Sequence, residues 1–88
     1  MKIADGFLLR KIMGRLMVVP TGNRALKTDG MFSLNESSAL LWDALKEGSD
    51  ETSLVALLLE NYNVDEVTAK ADVAALLQRL ESLGILSD

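Results

Sequence analysis

The sequence predicts an α+β domain with a winged-helix-like architecture, in which a three-stranded antiparallel sheet is followed by three helices. Three observations lead to this fold class. Short apolar segments separated by turn residues occupy the first third of the chain. Three helical patterns with capping residues occupy the remainder. A chain of 88 residues suits one small domain, so we expect a single domain over residues 1–88.

The first two strands are predicted to form a hairpin. Residues 7–13 and 16–19 are bulky and compatible with β structure, and Gly14-Arg15 stands between them. A two-residue connection suits a tight hairpin. Pro20 ends the second strand, because proline has no N–H group to donate to a sheet. Residues 22–30 then connect to the third strand and add either another rung of sheet or a flap.

The third predicted strand reads MFSL and leads directly into a helix. Alternation places Phe32 and Leu34 on one face, toward the core, and Met31 and Ser33 on the other. Asn35 ends the strand and caps the first helix, because its side-chain oxygen can accept an N–H group of the first turn. This strand is expected to lie at an edge of the sheet.

The first two helices follow from capping residues and apolar spacing. The first helix is expected to end at Gly48 and to bury Trp42, the single tryptophan, as its core anchor. The second covers about residues 50–62, with Ser49 or Asp50 as its cap. Its buried residues are expected to be Leu54, Val55, Leu57, Leu58 and Leu59.

The third helix is predicted to begin after Asp65 and to end near Leu83, before Gly84. Apolar residues at i, i+3, i+4 and i+7 predict one stripe facing the core. The stripe consists of Val73, Leu76, Leu77, Leu80 and Leu83. The margins of the stripe, where a partner could touch, include Lys70, Asp72, Ala74 and Arg79.

Composition argues against catalysis. The chain has no cysteine and no histidine, which removes disulfides, the usual zinc sites and the commonest general base. The carboxylate pairs Asp50-Glu51 and Asp65-Glu66 stand at predicted helix starts, where acidic residues stabilise the helix dipole. We therefore expect a protein that is not an enzyme and that has no cofactor and no metal site.

Charge is distributed unevenly along the chain. Residues 1–27 carry six of the nine basic residues and one acidic residue, whereas residues 28–88 carry twelve acidic and three basic residues. Either this is an ordinary solvated surface, or the strands form a basic face that meets an acidic partner. Lys70 and Arg79 are outnumbered by acids on the third helix, so we expect no nucleic-acid partner.

No segment resembles a membrane or export signal. The first fifteen residues lack the uninterrupted apolar core of a signal peptide. The longest strongly apolar run, residues 54–59, is far shorter than the roughly 20 residues of a spanning helix. A soluble cytoplasmic protein without a membrane partner is therefore expected.

An edge strand beside an amphipathic helix favours peptide binding. The unpaired N–H and C=O groups of such a strand can pair with an incoming extended peptide. The same exposed edge also permits strand-to-strand homodimers. Two alternatives stay open: an acidic winged-helix regulator that binds DNA or a protein, and a subunit that supports an enzyme without a peptide groove.

The stretch MFSLNESSALLW places Leu34-Asn35, then small residues at positions 37–39, then Trp42. This pattern resembles the signature of the PqqD-like family, the peptide chaperones of pyrroloquinoline quinone biosynthesis and their relatives. Residues 62–86, with an acidic helix start and a closing Gly-Ile-Leu, are similar to the tail of that family. The resemblance covers residues 7–86.

The resemblance implies a RiPP recognition element, where RiPP denotes a ribosomally synthesised and later modified peptide. Such an element binds the leader of the precursor peptide by strand addition. It presents the peptide to a modifying enzyme, often a radical SAM protein. The leader would lie against the third strand, in the cleft with the third helix. A quinone precursor, a lasso peptide or a thioether peptide would each suit it. The implied peptide-binding residues are Met31, Phe32, Ser33, Leu34, Lys70, Val73, Ala74, Leu76, Leu77 and Leu80.

Overall fold

The computed structural model describes residues 1–21 and 32–87. The strands are β1 (Lys2–Ile3), β2 (Phe7–Ile12), β3 (Arg15–Pro20), β4 (Phe32–Leu34) and β5 (Leu86–Ser87). The helices are α1 (Glu36–Glu47), α2 (Glu51–Asn61) and α3 (Glu66–Ser82). The antiparallel sheet β2–β3–β4 precedes the three helices, which confirms the predicted fold class. None of the described helices is long and apolar enough to cross a membrane.

Two predictions fall outside the described part of the chain. The connection over residues 22–30 is one of them, so its role as a rung or a flap stays a prediction. Met31, the predicted first residue of the third strand, is the other. Within the described residues that strand begins at Phe32 and ends at Leu34, where it was predicted to end.

The β2–β3 hairpin turns one residue earlier than predicted. Ile12 stands opposite Arg15 in the ladder, so the turn consists of Met13 and Gly14. Both adopt positive φ angles, of 51° and 81°. A tight two-residue hairpin needs left-handed backbone at both positions. The predicted Gly14-Arg15 turn is wrong because Gly14 takes the second position of the turn and Arg15 begins β3.

A two-stranded sheet, which was not predicted, joins the two ends of the described chain. β1 pairs with β5 in antiparallel fashion, with Ile3 opposite Leu86. Gly84, predicted to end α3, has a φ of 73° and lets the chain reverse there. The fully buried Ile85 follows it. The tail therefore folds back onto the start of the chain as a short strand.

Each helix begins at a side-chain cap that the sequence predicts. The capping residues have extended backbone, and each side chain accepts the N–H of the residue three positions further on, at 2.7 to 2.8 Å. The pairs are Asn35 with Ser38, Asp50 with Ser53, and Asp65 with Thr68. Of the two candidates for α2, Asp50 is therefore the cap.

One apolar core joins the sheet to all three helices. Trp42, the predicted anchor of α1, has no exposed surface. Burial of such large side chains is the main favourable term in folding. The core residues of the sheet, α2 and α3 are Phe7, Val18, Leu34, Leu54, Val55, Leu58, Ala69, Val73, Leu76 and Leu80.

Two leucines predicted to be buried are exposed. Leu59 of α2 is 41% exposed, because it stands one residue, about 100° of helix rotation, beyond the buried Leu58. Leu83 is 45% exposed at the end of α3, where Ile85 fills the core instead. The apolar stripes of α2 and α3 are therefore shorter than their sequence pattern predicts.

Candidate functional site

The strand β4 lies at an edge of the three-stranded sheet. The strand order is β2–β3–β4, so β3 pairs with β4 on one side only. Among the described residues, no strand pairs with its other side. This confirms the predicted edge position. An edge of this kind can accept an added strand.

A backbone hydrogen bond just after the end of β3 shows in which direction the N–H and C=O groups of β3 and β4 point. The N–H of Thr21 donates to the carbonyl just before β2 at 2.8 Å, so Thr21 faces β2. Successive residues of a strand direct their backbone groups to alternate sides. Leu16 and Val18 therefore face β4, where they are opposite Leu34 and Phe32.

Ser33 consequently presents its backbone to the open edge. Ser33 stands opposite Met17, and these two residues form a non-hydrogen-bonded pair of the antiparallel ladder between β3 and β4. Its N–H and C=O point away from β3, and the residue is exposed. A peptide strand laid along β4 would find one donor and one acceptor at this residue.

One flank of α3 lies beside β4. The guanidinium carbon of Arg79 is 4.5 Å from the centroid of the Phe32 ring, which is within the range of a cation–π contact. Helical periodicity brings Asp72, Ala75 and Leu76 to the same flank as Arg79. We call the space between this flank and the open edge of β4 the β4–α3 cleft.

A recess of about 370 Å³ lies at the α1 end of the β4–α3 cleft. Three of its residues supply an apolar wall, and two supply carboxylates. Asn35, which connects β4 to α1, also lines this recess. We call this space the α1 recess; its lining residues are Asn35, Glu36, Ser37, Leu58, Tyr62, Val64 and Asp72.

A second recess, of about 510 Å³, lies between the hairpin and β4. It brings two basic residues of the predicted basic N-terminal region close to Ser33. That this basic region meets an acidic partner stays a prediction. The lining residues are Lys11, Gly14, Arg15, Leu16, Ser33, Leu34, Asn35 and Glu36.

Two residues of the strand half of the predicted peptide-binding set border the cleft. Phe32 is half-buried beneath Arg79, and Ser33 is exposed at the edge. Leu34 is 6% exposed and belongs to the core. Met31 lies outside the described residues. The backbone of β4, rather than its apolar side chains, is therefore what the strand offers to a partner.

The helix half of the predicted set is divided between the core and the opposite flank. Val73, Leu76 and Leu80 are at most 5% exposed, and only Leu76 belongs to the flank beside β4. Lys70, Ala74 and Leu77 lie on the other side of the buried stripe. The contact of these residues with a peptide stays a prediction.

Lys70 faces the start of α2. Its Nζ lies 3.0 Å from the carboxylate of Glu66, one helical turn earlier. It also lines a recess of about 350 Å³ with Glu51, Thr52 and Val55. This flank of α3 therefore meets α2 and not β4.

The first residue of each carboxylate pair noted in the sequence, Asp50 or Asp65, is a helix cap. The backbone N–H of Ser53 is the largest cause that lowers the pKa of Asp50 below its ordinary value of 3.8. The backbone N–H of Thr68 does the same for the pKa of Asp65. Both carboxylates are thus held ionised at the starts of α2 and α3. No group of three metal-ligating side chains occurs in the described ranges.

Comparisons with known proteins agree with this architecture. One solved structure, TbiB1 in complex with the TbiA(beta) leader peptide, superposes with a TM-score of 0.75 at 22% identity, covering all of both chains. A second, a lasso peptide synthetase B1 complexed with the leader peptide, gives a TM-score of 0.75 at 18% identity, covering 99% of this chain and 96% of the other. These likenesses show the same fold. No curated protein matches the sequence.

A family comparison adds to the fold. The family model described as coenzyme PQQ synthesis protein D matches residues 24–86. That range includes β4, the three helices and the first residue of β5, and therefore both walls of the β4–α3 cleft. Since the match covers more than half of the sequence, this chain belongs to the PqqD family.

Proposed function

We propose that this chain is a non-catalytic adaptor that binds the leader segment of a ribosomally synthesised precursor peptide and presents it to a separate modifying enzyme. The observation that carries the proposal is the outward-facing backbone of Ser33 on an edge strand that borders α3. Strand addition at such an edge supplies main-chain hydrogen bonds, and the neighbouring helix supplies side-chain contacts.

The family and the related structures support this function. Both related proteins were solved with a leader peptide bound. A leader peptide is disordered when free and loses entropy when it becomes ordered, so a moderate affinity is expected from a small cleft. Ribosomal precursors are made in the cytoplasm, which is where we place the protein. Its enzyme partner is proposed to be a peptide-modifying enzyme, for which a radical SAM protein is one candidate.

The proposed binding residues are those at the cleft. The strand wall consists of Phe32, Ser33 and Leu34, with Met31 as its proposed extension. The helix wall consists of Asp72, Leu76 and Arg79. This assignment replaces Lys70, Ala74 and Leu77 of the expected set, because they lie on the flank that meets α2.

No observation favours binding to DNA. Of the two basic residues of α3, Lys70 is paired with Glu66, which leaves Arg79 alone beside the carboxylates of Asp72 and Glu81 on the same helix. Phosphate recognition needs basic side chains directed outward. A second copy of this chain remains the other occupant that the edge of β4 could accept.

The test is a matched pair of variants at one residue. Ser33→Pro removes the outward N–H, whereas Ser33→Ala removes the hydroxyl and keeps the N–H. Neither change touches a ladder hydrogen bond to β3. The ligand is a synthetic leader peptide from a precursor encoded beside this chain's gene, and its affinity is measured by calorimetry.

We expect Ser33→Ala to bind as the unmodified protein does and Ser33→Pro to bind roughly fivefold more weakly, since one hydrogen bond contributes about 1 kcal/mol. Circular dichroism checks that both variants are folded. Amide NMR shifts should cluster on β4 and on the Asp72–Arg79 flank. Equal affinity of two folded variants would exclude strand addition at Ser33. A dimer that dissociates in Ser33→Pro alone would identify a second copy as the occupant.

A further inference from the structure

The geometry points to a leader peptide whose charges are ordered along the β4–α3 cleft, with an acidic side chain beside Arg79 and a basic side chain in the α1 recess beside Asp72. This inference rests on the proposed function and adds a rule for which peptides are accepted. It depends on three features of the described residues: the free charge of Arg79, the lining of the α1 recess and the spacing between them.

Arg79 is positioned to bind a carboxylate. Its guanidinium lies over the ring of Phe32, and this contact holds the planar group against β4. A guanidinium carries five N–H donors, more than a contact with one ring occupies, and their fork matches a carboxylate in bidentate geometry. In the described part of the chain, Arg79 forms no ion pair. Its charge is therefore available to a ligand.

The α1 recess has the opposite character. Leu58, Tyr62 and Val64 form an apolar wall, and the carboxylates of Glu36 and Asp72 lie at the same recess. Neither carboxylate has an ion-pair partner within the described ranges. A lysine or arginine side chain combines a long apolar stem with a positive end, and it suits both parts of this lining. A peptide carboxylate would be repelled there.

The two charged positions are separated by the length of the edge strand. Seven helical residues from Asp72 to Arg79 span about 10.5 Å. The three residues from Phe32 to Asn35 span about 10 Å. Arg79 contacts Phe32, and Asp72 shares a recess with Asn35, so α3 runs opposite to β4 over this distance. Peptide residues two or four positions apart share one face of an added strand and can reach both ends.

The test is selection from a displayed library of random 12-residue peptides. The unmodified protein is compared with the double variant Arg79→Glu/Asp72→Lys, which exchanges the two charges of the cleft. The matched control is Lys70→Glu/Glu81→Lys, which exchanges one positive and one negative charge on the opposite flank of α3. Each selected peptide is then re-tested against Ser33→Pro, which reports strand addition.

We expect the unmodified protein and the Lys70→Glu/Glu81→Lys control to select peptides whose acidic and basic residues follow one order along the peptide. The cleft variant, Arg79→Glu/Asp72→Lys, should select peptides with the reverse order. A selected peptide and its charge-exchanged version should differ about tenfold in affinity, with the preference inverted by the cleft variant. Selected peptides without a charge order, or an order that the cleft variant leaves unchanged, would overturn the inference. Failure to select any peptide that depends on Ser33 would instead overturn the proposed function.

Discussion

The two flanks of α3 carry similar residues but meet different neighbours. On one flank, Lys70 is neutralised by Glu66 at 3.0 Å and faces the start of α2. On the other, Arg79 is stacked on Phe32 and its charge is free among the described residues. The difference teaches that, of the two flanks, only the one beside the open edge of β4 is placed to take part in the peptide binding proposed above.

The largest expected effect is on the free energy of unfolding, and it comes from truncating a leucine of the buried stripe that holds both flanks of α3 in place. Leu80 has no exposed surface, so Leu80→Ala leaves a cavity and should cost about 2–5 kcal/mol of unfolding free energy. Leu83→Ala is the control, because Leu83 is 45% exposed and should change stability by less than about 0.5 kcal/mol. Urea denaturation measures both. Equal losses would contradict the division between core and surface on α3.

Truncating one basic residue on each flank of α3 tests the difference between the two flanks most directly. We expect Arg79→Ala to weaken leader-peptide binding about fivefold, or about 1 kcal/mol, because we propose that its charge contacts the peptide at an exposed site. Lys70→Ala should leave the affinity within about twofold, because Lys70 faces α2. Calorimetric titration with the same peptide measures both. A larger loss from Lys70→Ala would place the peptide on the α2 flank.

Much of the fold could be predicted from local chemistry. Caps such as Asn35 and Asp65 are predictable because a short polar side chain satisfies an N–H group within its own turn. The β1–β5 ladder was not predictable, because a two-residue strand has too little pattern and its partner lies more than eighty residues away. Long-range pairing of short segments leaves almost no signal in a single sequence.

The sequence predicts the strand side of the proposed site but does not choose between the two flanks of α3, for a physical reason. The edge position of Ser33 follows from strand order and alternation, which the sequence carries. The buried stripe of α3 has two margins of similar composition, and periodicity is symmetric about the stripe. Asp72 and Arg79 could therefore be recognised as margin residues, but the contact of Arg79 with Phe32 was needed to show that their flank is the one beside β4.

Acid should weaken the start of α3, and with it both flanks equally. The pKa of Asp65 is lowered, chiefly by the backbone N–H of Thr68, so its cap contributes stability that is present above the unfolded pKa and is lost as pH falls through the folded pKa. Asp65→Asn keeps a capping oxygen that does not titrate. Below about pH 4, we expect Asp65→Asn to lose less stability than the unmodified protein in urea titrations. Parallel pH curves would contradict a capping role for the ionised carboxylate.

The smallest expected effect on stability comes from the ion pair on the flank of α3 that faces α2. Glu66 and Lys70 are one helical turn apart, and their side chains are 66% and 64% exposed, so water screens the pair. A double-mutant cycle with Glu66→Gln and Lys70→Gln should give a coupling of about 0.3–0.5 kcal/mol at low salt. The coupling should vanish in 1 M salt, where the screening length falls to about 3 Å. A coupling well above 1 kcal/mol that survives salt would mean that Lys70 is held in a desolvated contact with α2. The α2 flank would then stabilise the fold rather than merely lack an open edge.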